Sequence, residues 1–144
     1  MHDIGRDFQS GNLRPEFIKA PDGSEIRLLH ELHMGGMSEC TLPPNRVSVA
    51  IKHKTVEEIW LCTAGKGEIW RSQNGVEEIL PLSPGVSLTI PLNTCFQFRN
   101  PYSEPLKIVI ATMPPWPGDS EISEVQGPWK TDKPFDKASA ETAN

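Results

Sequence analysis

Apolar and polar residues alternate with a period of two along most of the chain, in runs too short for helices. Proline- and glycine-containing stretches interrupt these runs roughly every eight to twelve residues, a spacing that belongs to all-β sandwiches and barrels. The pattern predicts strands over "EIRLLHELH" (25–33), "MSECTL" (37–42), "RVSVAIKH" (46–53), "EEIWLCTAG" (57–65) and "GEIWRS" (67–72). It continues through "VEEILPL" (76–82), "SLTIP" (87–91), "CFQFRN" (95–100) and "LKIVIATM" (106–113). The last of these is apolar enough to be covered on both faces. Asn74-Gly75 stands between two strand patterns and tolerates positive φ at both positions, so residues 67–82 are expected to form an antiparallel hairpin. "LSPGVS" and "NPYSEP" read as further turns, with Asn100 in a turn-forming role.

Length and composition narrow what such a pattern can be. The 144 residues suit one domain around one core. Three parts are expected: residues 1–36, an N-terminal segment with first strands packing on a barrel; residues 37–113, the core barrel; and residues 114–144, a segment rich in proline and charge. In that last part Trp116 and Trp129 are expected to pin the chain to the barrel, with fraying beyond Phe135. A net charge of -5 with scattered cations argues against nucleic acid as a partner. The absence of a long apolar run argues against a membrane, and the N-terminal stretch lacks a secretion pattern, which gives a cytoplasmic expectation. Cys40, Cys62 and Cys95 make neither an even set nor a C-x-x-C pair, consistent with a reducing compartment and with small buried side chains.

Two spaced motifs carry a resemblance. Asn45, Ile51, His53, Glu58 and Gly65 stand at the spacing of G, five residues, H-x-H, four residues, E, six residues, G. Gly85, Pro91, Asn93, Phe96 and Asn100 stand at that of G, five residues, P-x-G, two residues, H, three residues, N. In this the chain resembles the cupin superfamily over about residues 37–113. The resemblance implies a double-stranded β-helix, or jelly roll, in which two antiparallel sheets enclose a tapering pocket. It also implies a homodimer.

In metal-bearing cupins, two histidines and a glutamate of the first motif and a histidine of the second hold one divalent ion. Here His53 and Glu58 remain, while Ile51 and Phe96 occupy the other two positions. One imidazole and one carboxylate bind a cation weakly, since catalytic zinc takes three protein ligands and non-haem iron two histidines and a carboxylate. The expectation is therefore no cofactor, with weak divalent metal binding at His53 and Glu58 as the alternative. Cys95 could add a third ligand if a bulge turned it inward, and His30 or His33 could be donated from a neighbouring strand.

Without a metal, a carboxylate facing an apolar barrel needs a partner, and His53 is the obvious one for Glu58. Alternation points Trp60 and Cys62 to the same face as Glu58 and leaves Glu57 outside; Phe96 and Phe98 point inward, opposite Gln97 and Arg99. The expected pocket is thus Ile51, His53, Glu58, Trp60, Phe96 and Phe98, taking a small-molecule ligand. Three readings compete: a small-molecule-binding barrel with an eroded metal site; a metal-dependent isomerase or dioxygenase that completes its shell unconventionally; and a metal-free, epimerase-like enzyme with Glu58 and His53 as catalytic acid and base. Trp70 and Arg71 could touch a ligand, though a strand aromatic such as Trp70 is more often a core or dimer contact.

Overall fold

The computed structural model describes residues 7–131. Its strands in chain order are β1 (Ile18–Lys19), β2 (Glu25–Leu32), β3 (Gly35–Leu42), β4 (Arg46–Val47), β5 (Ile51–His53), β6 (Glu57–Ala64), β7 (Gly67–Gln73), β8 (Val76–Leu82), β9 (Ser87–Ile90), β10 (Cys95–Asn100), β11 (Leu106–Met113) and β12 (Ile122–Glu124). One 3-10 turn, Asp119–Glu121, precedes β12. The strands form two antiparallel sheets. Sheet A has the order β1-β2-β3-β11-β6-β9, and sheet B the order β12-β5-β10-β7-β8, with β4 also paired to β10. The chain crosses repeatedly from one sheet to the other, which is the double-stranded β-helix.

Alternation fills the space between the sheets. β6 reads exposed, buried, exposed, buried from Glu57 onward, and β11 buries Leu106, Ile108 and Ile110 on one face. These side chains join Leu42, Ile69, Ile90 and Phe98 in a single core cluster. Each such apolar side chain taken wholly from water contributes about 1.5–3 kcal/mol.

The turns follow the residues that permit them. Asn74 (φ 51°) and Gly75 (φ 80°) close the β7–β8 hairpin, in which Gln73 pairs with Val76. The four glycine positions of the two motifs are all left-handed: Asn45 at 61°, Gly65 at 76°, Gly85 at 99° and Asn93 at 63°. Asparagine replaces glycine at two of them because it is among the few residues that tolerate this region. At Gly65 no replacement fits, since a Cβ there would run into the carbonyl of Pro105. Asn100 acts as a turn former: its Oδ1 accepts from Tyr102 N (3.0 Å), and its Nδ2 donates to Leu42 O (3.0 Å) and Glu104 O (2.7 Å).

Three elements differ from the expected pattern. The strand expected over 46–53 is broken. Val47 pairs with Arg99 and Ile51 with Phe96, so residues 48–50 oppose only Gln97 and Phe98, which makes a bulge of one extra residue. Ser48 holds it, donating its backbone N–H to Phe98 O (2.9 Å) and accepting from Phe98 N through its Oγ (3.0 Å). β1 and β12 are short strands that the periodicity does not announce. Gln97 points away from the barrel interior, as alternation requires, yet it is only 1% exposed. The segment around Trp129 covers it: Gln97 Nε2 donates to Ser48 O (2.9 Å) and Trp129 O (2.8 Å), and Trp129 N donates to its Oε1 (3.1 Å). The Trp129 ring lies 4.3 Å from the Arg99 guanidinium. The expected fraying beyond Phe135 falls outside the described residues.

Candidate functional site

A cavity of about 120 Å³ opens between the sheets, against roughly 10–15 Å³ needed by a single water, so it has room for a small organic molecule. Five strands bring its central residues together. β5 turns Ile51 and His53 inward and leaves Lys52 on the other face; β6 does the same with Glu58 and Trp60. Antiparallel register then fixes the neighbours: Ile51 opposite Phe96, Glu58 opposite Thr112, Trp60 opposite Ile110, and His53 opposite Ile122. Ile51, His53, Glu58, Trp60, Phe96 and Phe98 all line the cavity.

The aromatic rings form a continuous edge-to-face series. Trp116 meets His53 (centroids 5.3 Å), His53 meets Phe96 (5.3 Å), Phe96 meets Trp60 (5.6 Å) and Trp60 meets Phe98 (5.2 Å). Such contacts fix ring orientation and add to the burial itself.

Glu58 is 7% exposed and finds its partners elsewhere than expected. Trp60 Nε1 donates to its Oε1 (2.9 Å) and Thr112 Oγ1 to its Oε2 (3.2 Å). His53 shares the cavity with Glu58 but supplies neither of these bonds. The cause is geometric: Trp60, two residues on, lies on the same inward face of β6, and Thr112 is the cross-strand neighbour. Burial pushes the Glu58 carboxyl up from 4.5 to about 7, reinforced by the negative charges of Asp22 and Glu121 and opposed by the bonds from Trp60 and Thr112.

His53 is 5% exposed, and its Nδ1 is buried without a hydrogen-bond partner. Burial lowers its pKa from 6.5 to about 4, against the pull of the Glu121 carboxylate and the backbone of Val56, so the imidazole is neutral at pH 7. Glu121 also locks the loop after β5: its carboxylate accepts from Thr55 N (2.6 Å), Thr55 Oγ1 (2.6 Å) and Val56 N (2.8 Å). Burial raises the Glu121 carboxyl, but these bonds outweigh it and hold the group below its usual range.

Several wall residues were not singled out by sequence reasoning. Asp22 comes from the turn "APDGS"; its Oδ1 accepts from Ser24 N (3.0 Å) and Ser24 Oγ (2.6 Å), and burial pushes its carboxyl up despite those bonds. Trp116 and Asp119 arrive from the segment after β11. Thr112 carried a usable signal: it continues the inward series Leu106, Ile108, Ile110, and a polar residue on a buried face implies a partner. Trp116 was expected to pin its segment to the barrel but not to line the cavity, and Asp22 and Asp119 carried no signal, because no periodicity links them to the barrel.

The structure places neither proposed addition to the donor set on the cavity wall. Cys95 pairs with Lys52, whereas the neighbouring Phe96 and Ile51 line the cavity, so the thiol of Cys95 lies on the opposite face of the sheet. The bulge of this sheet sits at residues 48–50, on the strand partner, and does not turn Cys95 inward. His30 and His33 are exposed and do not line the cavity. Among the described residues no group of three His, Cys, Asp or Glu side chains could hold a metal ion. The donor set therefore does not fit the four-ligand ion of metal-bearing cupins.

The cupin domain model matches residues 38–112, just over half of the chain. The chain belongs to the cupin family. No curated protein matches this cupin in sequence. Among solved structures it is similar to the capsular polysaccharide assembling protein CapF of Staphylococcus aureus, with a TM-score of 0.63 and 16% identity over 72% of this chain. It covers only 32% of that protein, about a third of its length. A predicted oxalate decarboxylase of Thermotoga maritima matches with a TM-score of 0.57 and 20% identity, covering 74% of this cupin and 96% of that chain. An uncharacterized conserved protein of Klebsiella pneumoniae with a double-stranded β-helix domain matches with a TM-score of 0.59 and 15% identity, covering 72% and 80%. At these identities the likeness is one of fold. Among the described residues no helix is long and apolar enough to cross a membrane.

Proposed function

We propose that this cupin binds a small organic molecule within its barrel and does so without a resident metal ion. One observation carries the reading: of the four positions where metal-bearing cupins place ligands, two are Ile51 and Phe96, both 2% exposed and both on the cavity wall. A cation there would have one imidazole and one carboxylate, too few donors to repay its dehydration. An apolar pocket with a few convergent polar groups is instead the usual form of a small-molecule site. The decarboxylase and CapF likenesses do not choose between substrates.

The test is a fragment screen by NMR on untagged protein, with and without chelator. The reading expects fragments that shift the Trp60 and Trp116 indole signals equally in both conditions and that are lost in Ser38→Trp, which fills the cavity from β3. Binding that vanishes on chelation, or no fragment binding at all, would overturn it.

A second, catalytic reading rests on the separation of two pKa values within one cavity: Glu58 near 7 and His53 near 4. A protonated carboxyl beside a neutral imidazole is an acid and a base available together, as proton-transfer enzymes require. Loss of turnover in both Glu58→Gln and His53→Gln, with binding retained, is its expected signature.

Two features of setting belong to the same proposal. A reducing, cytoplasmic location is supported by three free cysteines, Cys40, Cys62 and Cys95. Homodimer formation is supported by the outer face of sheet A, where Met37, Ile59 and Leu61 stand exposed around Val109 and Ala111 of β11.

A further inference from the structure

We infer that the ligand of this cavity is a small organic cation, an ammonium group on an apolar or aromatic body. The inference rests on the reading that the barrel binds a small molecule without metal, and it names the chemical class.

The charges on the wall point one way. Asp22 and Glu58 contribute carboxyls, and no lysine or arginine lines the cavity among the described residues. An anionic ligand would meet like charge in a poorly screened interior with no cation to offset it.

The hydrogen-bond inventory points the same way. Three donors on the wall are engaged by the protein's own carboxyls, Trp60 Nε1 and Thr112 Oγ1 by Glu58 and Ser24 Oγ by Asp22, beside the Ser38 hydroxyl and the Trp116 indole. Each carboxylate offers about four lone-pair sites, so Glu58 keeps acceptor capacity after taking two bonds. His53, neutral and 5% exposed, stands on the same wall with its Nδ1 unpartnered. Glu58 thus keeps acceptor capacity on a wall without lysine or arginine, and the group that complements it brings N–H bonds and positive charge.

The aromatic rings complete the fit. Trp60, Phe96, Phe98 and Trp116 surround the same space, and ring faces attract ammonium groups while accepting an apolar body. A bare metal ion would find too few donors among the described residues to replace its water.

Three probes of one shape separate the possibilities: benzylamine, benzyl alcohol and benzoate, titrated calorimetrically into the untagged protein at pH 8. A charge-assisted bond in place of a neutral one predicts that benzylamine binds about tenfold more tightly than benzyl alcohol. Benzoate should bind more weakly than either. In Glu58→Gln the amine advantage should fall to within about threefold, with the alcohol little changed. Benzoate binding as tightly as benzylamine, or equal affinities for amine and alcohol, overturns the cation while leaving the small-molecule reading in place. Failure of all three to bind overturns both. The wild-type ranking decides the matter by itself if the variant does not fold.

Discussion

Replacing Glu58 with glutamine should make the protein more stable at alkaline pH and change little at acidic pH. The carboxyl is almost wholly buried, and burial moves its pKa from 4.5 to about 7. A raised carboxyl binds its proton more tightly in the folded state than in the unfolded chain. Its contribution is therefore complete below pH 4.5 and is lost as pH rises through 7. At about 1.36 kcal/mol per pH unit, the displacement amounts to about 3 kcal/mol between pH 4 and pH 8.5. Glutamine mimics the protonated acid: its Oε1 can still accept from Trp60, and its amide can donate to Thr112 Oγ1. The readout is the difference in Tm between variant and wild type, which cancels the other titrating groups. It should be near zero at pH 4 and favour the variant by roughly 10 °C at pH 8.5 for a domain of this size. A difference that stays constant across this range would refute the burial of an ionisable Glu58 and the acidic character of the cavity with it.

Three further outcomes follow from named contacts. His53, lowered from 6.5 to about 4, contributes in the opposite sense: its stability is present above pH 6.5 and lost as pH falls toward 4, so the His53→Gln variant should overtake wild type in acid-denaturation midpoints read by circular dichroism. Asn93 sits at φ 63°, so Asn93→Ala should cost about 1 kcal/mol in urea unfolding while Asn93→Gly is neutral or better. Gln97→Ala removes three hydrogen bonds at a buried site; it should cost about 2–3 kcal/mol and speed limited proteolysis around Trp129, with no change there counting against the clasp.

The barrel was largely legible because its cause is local. Period-two alternation marks the buried face of β6 and β11, Asn74-Gly75 marks the hairpin, and the motif spacing lands on four left-handed positions even where asparagine stands for glycine. The interruption at residues 48–50 was not legible, since "RVSVAIKH" alternates without a break and the bulge is held by bonds to distant segments, among them Phe98 N to Ser48 Oγ, Val49 N to Asp22 O and Val125 N to Ala50 O. The same division holds at the site. Alternation places Ile51, His53, Glu58, Trp60, Phe96 and Phe98 on one wall, but it does not say who bonds to whom. Glu58 turns to Trp60 and Thr112 because one is its nearest same-face neighbour and the other its register partner, and register is a tertiary property. Asp22 and Trp116 reach the cavity from a turn and a tail, where no repeat in the sequence connects them to the barrel.

The absence of a full donor set at the barrel centre can be measured directly. Untagged protein should be analysed for zinc, iron, nickel and manganese and titrated with each, beside the Ile51→His, Phe96→His double variant. The wild type should hold no stoichiometric metal, and the double variant should take up about one equivalent that survives dialysis. One equivalent of chelator-resistant metal in the wild type would contradict a metal-free cavity walled by hydrocarbon at two of four positions.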